Sequence, residues 1–375
     1  MNLKNRRPLL IILAILGLLI LAEVGARIYI SNAPERSFNR FASFDQLTAR
    51  YGIPPLDLHR NIGYTGNVEY VRGEDFHNSF GYRGEEFESE KPEGTFRIVA
   101  LGGSATYSTG VEAFRHSYPY LLEAHLHKEG YSQVEVINAG LPGYTSWESL
   151  LNFNFRVLDL QPDLVIFYPD IEDVAARLVW PPEAYKADNS GYLDNITGYN
   201  PPWWDGSAAL RFVLISLGVA EPHSDLAIQW RPRSDTSYEL ELLQQYTAHN
   251  YPAGIFENTS VKEMLAANPP LYFESNLRSM LASAEVNVVP FVLVGGVFAV
   301  PLRLDEAGYY AALQGHNEVL ATLAKTNNGL YFDLAATWAN EPGLYVEPMQ
   351  FNEAGNQQLA GLIGQSIIEN QLLNP

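Results

Sequence analysis

Short apolar runs alternate with segments of helical periodicity through most of the chain. The five apolar runs are FRIVAL (96–101), VEVINA (134–139), DLVIFY (163–168), VNVVPFVLV (286–294) and LYFD (330–333). The helical patterns are Tyr118 to Lys128, Trp147 to Leu158, Glu274 to Ala284, Tyr309 to Lys325, and Glu353 to Leu372. Nearly continuous apolar strands alternating with helices predict a parallel sheet covered on both faces. This is a three-layer, doubly wound α/β architecture, and its functional site is expected at the carboxyl ends of the strands.

The chain begins with a basic cluster followed by an apolar run over residues 8–22. Glu23 interrupts this run, and residues 24–30 continue it less purely. The uninterrupted part is short for a membrane-spanning helix, which needs about 20 residues, and it fits the core of a signal peptide equally well. Extension to residue 30 reaches spanning length, with Glu23 and Arg27 one helical turn apart and able to pair.

Two topologies follow from this segment. The first is a retained signal-anchor over residues 1–30, which makes the protein single-pass in a bacterial cell membrane. The alternative is cleavage after Ala26 and secretion. In both cases the positive-inside rule keeps the N-terminus cytoplasmic and places the rest of the chain outside, so the membrane is an expected partner.

Three further segments are predicted. Residues 31–95 are polar and aromatic and form a linker with an irregular N-terminal subregion. Residues 96–370 form the α/β domain, which carries an insertion over about 175–273, after its third strand. A connection this long is usually a lid or a binding feature. Its tryptophans and tyrosines are expected either to form a small core of its own or to face sugars or acyl chains.

Composition narrows the function. The formal net charge of −19 and the pI near 4.8 argue against nucleic acid as a partner, because binding to phosphates needs a cationic face. The chain has no cysteine, which excludes disulfides, a thiolate nucleophile and cysteine-based zinc sites. No grouping of side chains suggests a metal site, and we expect no cofactor.

The ends of the first two strands carry candidate chemistry. In ALGGSATYSTGV, two glycines permit a tight turn that exposes the hydroxyl of Ser104 before a helix, which suits a nucleophile. In VINAGLPGYTSWESL, Gly143 lets a backbone N–H approach a substrate oxygen, as an oxyanion hole requires. Ser146 is placed to cap the next helix. Either segment alone is also compatible with an ordinary strand-to-helix turn.

Together these segments resemble the SGNH/GDSL hydrolase superfamily of serine esterases and acyltransferases. FHNSFGYRG (76–84), FRIVALGGSATYSTGV, VINAGLPGYTS and QPDLVIFY are similar to a membrane-anchored bacterial branch. The resemblance covers about residues 76–370 apart from the insertion, and it implies a flavodoxin-like five-stranded sheet. It also implies that Ser104 is the nucleophile and an oxyanion donor, and that Gly143 is a second oxyanion donor.

The chain departs from the superfamily pattern in the last two blocks. After the third strand the superfamily has Gly-x-Asn-Asp, and FYPDIEDV places Asp170, Glu172 and Asp173 at the Gly, Asn and Asp positions. Before the C-terminal helix it has Asp-x-x-His, and EPMQFNEAGN places Glu347 and Gln350 at those two positions. The resemblance therefore assigns Glu347 and Gln350 to the catalytic pair, and Glu172 and Asp173 to the oxyanion region.

These departures leave two hypotheses open. The neutral amide of Gln350 cannot accept the serine proton, and Glu172 adds negative charge where negative charge must develop. Glu347, one methylene longer than Asp, could act as a direct base on Ser104. The first hypothesis is an ester hydrolase or acyltransferase acting on cell-surface carbohydrate or lipid esters through Ser104. The alternative is a catalytically degenerate binding or scaffold protein in envelope processing.

The histidines offer few replacements for the missing base. His316 lies in the helical pattern LQGHNEVLATLAK, and we expect it at a helix surface or cap. His125 and His127 are expected to be solvated. His223 and His249 belong to the insertion and are the two that could fold over the site.

Overall fold

The structure is a computed structural model. It describes residues 7–51, 55–59, 62–169, 171–178, 182, 185, 202–220, 222, 260–297, 308–327, 329–338, 342–346 and 350–373. By contacts the chain divides into two compact units. One unit comprises residues 1–55 and 197–231, and the other comprises residues 56–196 and 232–375. We call them the helical unit and the sheet unit.

The described α-helices, in chain order, are α1 (Arg7–Ser31), α2 (Glu35–Phe41), α3 (Phe44–Tyr51), α4 (Ser104–Tyr107), α5 (Tyr118–Lys128), α6 (Ser146–Asn152), α7 (Glu172–Ala175), α8 (Ala208–Ser216), α9 (Val261–Ala267), α10 (Leu271–Val286), α11 (Tyr309–Thr326), α12 (Leu334–Thr337) and α13 (Glu353–Glu369). The described strands are β1 (Leu56–His59), β2 (Gly63–Gly66), β3 (Val71–Arg72), β4 (Asp75–Phe76), β5 (Phe96–Gly102), β6 (Val134–Asn138), β7 (Leu164–Tyr168), β8 (Phe291–Val294) and β9 (Leu330–Phe332).

The sheet unit is built on five parallel strands in the order β6-β5-β7-β8-β9. The strand order reverses direction at β5, so the crevice between β5 and its neighbours is where a doubly wound sheet places its site. The predicted α/β architecture is confirmed. The fourth strand is shorter than predicted, because residues 286–289 complete α10 and its turn. Pro290 has no N–H for the ladder, and the strand begins at Phe291.

Both faces of the sheet are covered. Alternate residues of β5 enter two separate apolar clusters, with Ile98 and Ala100 in one and Val99 and Leu101 in the other. Side chains of α5 and α13 complete the first cluster, and side chains of α10 and α11 complete the second. This arrangement is the three-layer packing that the apolar runs predict.

The helical unit has an apolar core of its own. Side chains from α1, α2, α3 and α8 share it, and its buried members are Ile30, Phe38, Phe41, Ala42, Leu47, Ala208 and Ile215. The 22-residue segment Leu10–Ser31 has a mean hydropathy of 2.3, which is long and apolar enough to cross a membrane, although a signal sequence meets the same criterion.

The limits of the two units differ from the segments predicted along the sequence. Residues 56–95 belong with the sheet, and part of the insertion belongs with the N-terminal helices. The physical reason is that α8 buries Ala208 and Ile215 against α1 to α3, a long-range contact that local patterning cannot reveal. The aromatic residues Trp180 and Trp230 of the insertion lie outside the described residues.

Candidate active site

Ser104 stands at the carboxyl end of β5, as the first residue of the short helix α4. The two preceding glycines are required by close contacts. A Cβ at Gly102 would lie 2.1 Å from the carbonyl oxygen of Tyr168, at the end of β7. A Cβ at Gly103 would lie 2.6 Å from the carbonyl oxygen of Tyr144 and 3.0 Å from Glu172 Oε2. Glycine therefore lets three chain segments approach at the serine.

The hydroxyl of Ser104 lies between a donor and an acceptor. It donates a hydrogen bond to Glu172 Oε1, and it accepts one from the backbone N–H of Gly143 at 3.2 Å. The backbone N–H of Ser104 also donates to Glu172 Oε1, at 3.3 Å. A single carboxylate oxygen thus accepts from both the hydroxyl and the amide of the same residue.

The loop after β6 holds Gly143 in position. Gly143 has φ of +80°, a left-handed conformation that favours glycine. The hydroxyl of Tyr64, from β2, donates to the carbonyl of Pro142 at 2.8 Å, and the hydroxyl of Tyr144 donates back to the carbonyl of Tyr64 at 2.6 Å. The reciprocal pair fixes the backbone on either side of Gly143, which aims its N–H at Ser104.

The third strand is followed by α7, whose first two residues are buried carboxylates. Glu172 turns to Ser104, whereas Asp173 turns to the start of α6. Asp173 accepts from the N–H of Ser146 at 3.0 Å and from its hydroxyl at 2.7 Å, and Asn276 donates to the same hydroxyl at 3.1 Å. Burial raises the pKa of Asp173 to about 7, against the opposing effect of these hydrogen bonds.

The contacts of Asp173 correct the predicted capping role of Ser146. Thr145 is the N-cap of α6, and it forms a capping box with Glu148. Ser146 is displaced from capping because its N–H and hydroxyl are both bound by Asp173. Asp173 therefore ties the end of the third strand to the loop that carries Gly143.

Gln350 is buried and belongs to a different set of contacts. Its Oε1 accepts from the hydroxyl of Thr109 at 2.6 Å. The N–H of Thr109 in turn donates to the carbonyl of Ser104 at 3.1 Å, so Gln350 supports the turn that follows the serine. Glu347 and Asp170 lie outside the described residues.

Buried Arg83 supports the same turn from the other side. It forms an ion pair with Asp75 at 2.7 Å, and it donates to the backbone carbonyls of Tyr107, Ser108 and Val111. A buried guanidinium is stable only when its donors are matched in this way. The FHNSFGYRG segment thus fixes the helix that carries Ser104.

The histidines do not supply a base in the described part of the site, where the hydroxyl and the N–H of Ser104 form their hydrogen bonds with Glu172 and Gly143. The expectation for His316 was wrong: its ring is buried and stacked on Phe273 at 4.4 Å between centroids. Burial lowers its pKa well below the usual range, and the charge of Arg177 adds to this effect. His223 and His249 lie outside the described residues.

The other two histidines named from the sequence lie on α5. His127 is exposed and contacts the carbonyl of Val134 at 2.7 Å. His125 is only partly exposed, because its ring packs against Gly364 of α13, where a Cβ would lie 2.4 Å from it. Within the described ranges, no cluster of three histidine or carboxylate side chains could hold a metal ion.

Several positioning residues were missed from the sequence. They are Thr109, Arg83, Tyr64 and Asn276, which act through hydrogen bonds, and for Arg83 also an ion pair, to residues distant in the chain that no local pattern indicates. His316 did leave a signal: Leu313, His316 and Leu320 follow the i, i+3, i+7 spacing of one helix face, which places the histidine on the apolar side of α11.

The sheet, the serine at the end of its β5 strand and the Gly143 loop define an SGNH-type acylhydrolase fold. Residues 100–358 match the model of the GDSL-like Lipase/Acylhydrolase family. The chain belongs to this family. No curated protein matches it in sequence.

Solved structures of similar fold include three bacterial enzymes. A lipase/acylhydrolase from Enterococcus faecalis is 18% identical, with a TM-score of 0.43, covering 74% of this chain and 97% of that one. A catalytic mutant of an acetylxylan esterase from Geobacillus stearothermophilus is 15% identical, with a TM-score of 0.43, covering 74% and 96%. A GDSL-like lipase from Bacteroides thetaiotaomicron is 16% identical, with a TM-score of 0.39, covering 73% and 88%. At identities this low the similarity concerns the fold alone.

Proposed function

We propose that this protein is a membrane-anchored, extracytoplasmic serine acylhydrolase or acyltransferase that acts on carbohydrate or lipid esters of the cell surface. Ser104 is its nucleophile, Gly143 is an oxyanion donor, and Glu172 is the group that takes the serine proton. The observation that carries the proposal is the hydrogen bond from the Ser104 hydroxyl to Glu172 Oε1, with the Gly143 N–H on the same hydroxyl. The anchor rests on the basic residues before the apolar segment Leu10–Ser31.

The proposed reaction answers the objection that Glu172 opposes the oxyanion. As Ser104 Oγ attacks the ester carbon, its proton passes to Glu172, so the carboxylate becomes neutral at the moment when the carbonyl oxygen becomes negative. Charged acceptors hold N–H donors more strongly than neutral ones. The N–H groups of Ser104 and Gly143 therefore favour the oxyanion over the neutral carboxyl and the bonded ester oxygen.

Collapse of the tetrahedral intermediate breaks the bond to the leaving alcohol, which receives the proton from Glu172. The acyl group is then on Ser104, and Glu172 is again ionised. Water, or the hydroxyl of an acceptor sugar or lipid, attacks the acyl-enzyme while Glu172 takes its proton. The bond from the acyl carbon to Ser104 Oγ then breaks, the acid or the new ester leaves, and Glu172 returns the proton to Ser104. The same two residues thus serve hydrolysis and transfer, and the second acceptor decides between them.

A second candidate function is binding of acyl esters without turnover. It is favoured by one observation: Glu172 Oε1 accepts the Ser104 N–H at 3.3 Å and so occupies the position of the oxyanion. In this case Glu172 blocks the site, and Gln350 is a structural residue held by Thr109. The protein would then act as a scaffold beside envelope-processing enzymes.

One substitution separates the two functions. A fluorophosphonate probe labels a serine only when its hydroxyl is activated, and Ser104→Ala identifies the labelled residue. If Glu172 is the base, Glu172→Gln abolishes labelling of Ser104, because an amide accepts no proton near neutral pH. If Glu172 blocks the site, the same change removes the charge and labelling increases. Glu274→Gln, in an exposed ion pair with Arg278 on α10, is the matched control and leaves labelling unchanged.

A further inference from the structure

Helix α8, from the middle of the insertion, exposes apolar side chains and buries a charged one, which is the reverse of a helix in water. Its exposed side chains include Leu210, Val213 and, at its C-cap, Leu217, which follow the i, i+3, i+7 spacing of one face. Leu217 is 70% exposed, whereas Arg211 is only 3% exposed. The apolar face points outward and the charged side chain points inward.

Arg211 is held inside the helical unit by polar partners. It donates to the carbonyl of Phe41 at 3.0 Å and to Gln46 Oε1 at 3.1 Å, and Asp205 Oδ1 lies 3.9 Å from it. Apart from the exposed Ser216, the remaining faces of α8 are apolar, which is the pattern of a helix that is surrounded by protein or by lipid rather than by water. The apolar side chains on the exposed face of α8 therefore favour lipid on the outside.

The start of α8 lies beside the middle of the apolar segment of α1. The carboxylate of Glu23 accepts from the hydroxyl of Ser207 at 2.8 Å and from the N–H groups of Ala208 and Ala209 at 3.1 and 3.0 Å. It also pairs with Arg27 at 2.7 Å. The predicted pairing of Glu23 with Arg27 is thus present, and the helix terminus adds three donors to a carboxylate that would otherwise face hydrocarbon.

The two helices run side by side from this point. Tyr29 and Phe212 meet edge to face at 5.6 Å, six residues further along α1 and four residues further along α8. Glu23 lies eight residues before the end of Leu10–Ser31, or about 12 Å at the rise of an α-helix. A helix that begins at this level, beside a helix that crosses the membrane, begins inside the bilayer, whose hydrocarbon core is about 30 Å thick.

We propose that residues 202–220 form a second membrane-inserted element, with α8 packed on α1 and its 210/213/217 face against the acyl chains of the outer leaflet. The inference rests on the proposed membrane anchor. Val219, 72% exposed, extends the apolar surface beyond the helix. The insertion thereby fastens the chain to the membrane at two points.

The absence of cysteine allows a direct test in the full-length protein. Single cysteines at Val213 and Leu217 are labelled with an environment-sensitive nitrobenzoxadiazole dye, and the protein is reconstituted into phosphatidylcholine/phosphatidylglycerol vesicles. Leu16→Cys in α1 is the reference for lipid, and Ser279→Cys on the exposed side of α10 is the reference for water. Quenching is measured with spin-labelled lipid and with aqueous iodide.

The expected result is that dyes at 213 and 217 are quenched by the spin-labelled lipid like the dye at 16, and are several-fold less accessible to iodide than the dye at 279. The inference is overturned if both are quenched by iodide like the dye at 279 while the dye at 16 remains in lipid. It is also overturned if both are shielded from both quenchers, which indicates a protein partner or a second copy on this face. If the dye at 16 is itself quenched by iodide, the membrane anchor fails, and the proposed function fails with it.

Discussion

The candidate site has two halves that differ in how closely they match the residues that the superfamily resemblance implies. The first half consists of Ser104 and Gly143, after β5 and β6, and it acts through one hydroxyl and backbone N–H groups. The second half consists of Glu172 and Gln350, after β7 and before α13, and it acts through side chains alone. The first half has the residues that the family chemistry requires, and the second half has others.

The difference follows from how each half is built. The position of Gly143 depends on a left-handed backbone, on two tyrosine hydroxyls and on the approach of three segments at Gly102 and Gly103. Such a backbone feature cannot change without disturbing the sheet edge. A side chain at 172 or 350 can be replaced while the backbone stays in place, so the base and the oxyanion amide are the parts of the site that can be exchanged.

The largest effect is expected from restoring the second half. The triple change Glu172→Asn, Glu347→Asp and Gln350→His supplies an imidazole base and a neutral oxyanion donor. Ser104-dependent hydrolysis of short-chain aryl esters should rise above wild type, on the order of 10²- to 10⁴-fold, as expected for a positioned general base. Single changes should do less because such residues act as a unit, and Glu172→Asn alone should lower activity. The same triple change combined with Ser104→Ala is the control. If the triple variant folds but hydrolyses aryl esters no faster than wild type, the comparison of the two halves is contradicted.

The next effect concerns the contact between the halves at Gly103. Gly103→Ala places a Cβ 2.6 Å from the Tyr144 carbonyl and 3.0 Å from Glu172 Oε2, so the backbone or the carboxylate must move. We expect the free energy of unfolding to fall by about 1–3 kcal/mol, as overpacking does, and Ser104 labelling to fall as well. Urea unfolding and fluorophosphonate labelling measure the two effects. Gly315→Ala in α11 is the control, because its Cβ meets no atom within 4 Å and the change should be neutral or stabilising. If the Gly103 variant is as stable as wild type, the close contact at Gly103 is refuted.

A smaller effect concerns pH. Burial raises the pKa of Asp173 from 3.8 to about 7, so the folded protein binds this proton more tightly than the unfolded chain. The stability contributed by Asp173 is therefore present below about pH 4 and is lost as pH rises towards 7, by at most about 1.4 kcal/mol per pH unit. The difference in unfolding free energy between wild type and Asp173→Asn should fall over this range. A difference that stays constant would show that Asp173 remains ionised.

His77 provides a control, because its titration should change the stability in the opposite direction as pH rises. Burial lowers its pKa to about 3, while its ring contacts the hydroxyl of Tyr107 at 2.9 Å. The unfolded chain then binds the extra proton, so the contribution of His77 to stability grows as pH rises from about 3 to 6.5. A His77→Gln variant should differ from wild type by an amount that increases over this window.

Much of the sheet unit could be predicted from the sequence because each strand is an apolar run with turn residues at its ends. The predicted strand limits were wrong where a single residue interrupts the pattern, as Pro290 does before the start of β8. The position of the serine could also be predicted, because two adjacent glycines before a helix have a local cause. The helical unit could not be predicted, since α8 joins α1 to α3 across more than 150 residues of chain.

The pairing of Ser104 with Glu172 was not predictable by the same reasoning. The resemblance to the superfamily places Glu172 at the oxyanion position. The sequence shows that the residue there is negatively charged, but it does not show which group its carboxylate contacts. Whether the carboxylate faces the hydroxyl or turns away depends on the direction of α7 and on the room that Gly103 leaves. Glu172 and Asp173 are adjacent, yet they face different partners, and only the packing of α7 decides between them.

The smallest effect tests whether Gln350 is structural. Thr109→Val keeps the shape of the side chain and removes the hydroxyl that donates to Gln350 Oε1 at 2.6 Å. We expect a loss of about 1 kcal/mol in the free energy of unfolding, the value of one hydrogen bond and the desolvated acceptor that it leaves. Ser104 labelling should change little, because the second half of the site acts on the serine through Glu172. Thr326→Val, at the exposed end of α11, is the matched control for stability. Loss of labelling as complete as in Ser104→Ala, in a variant that still unfolds cooperatively, would instead place Gln350 among the residues that activate the serine.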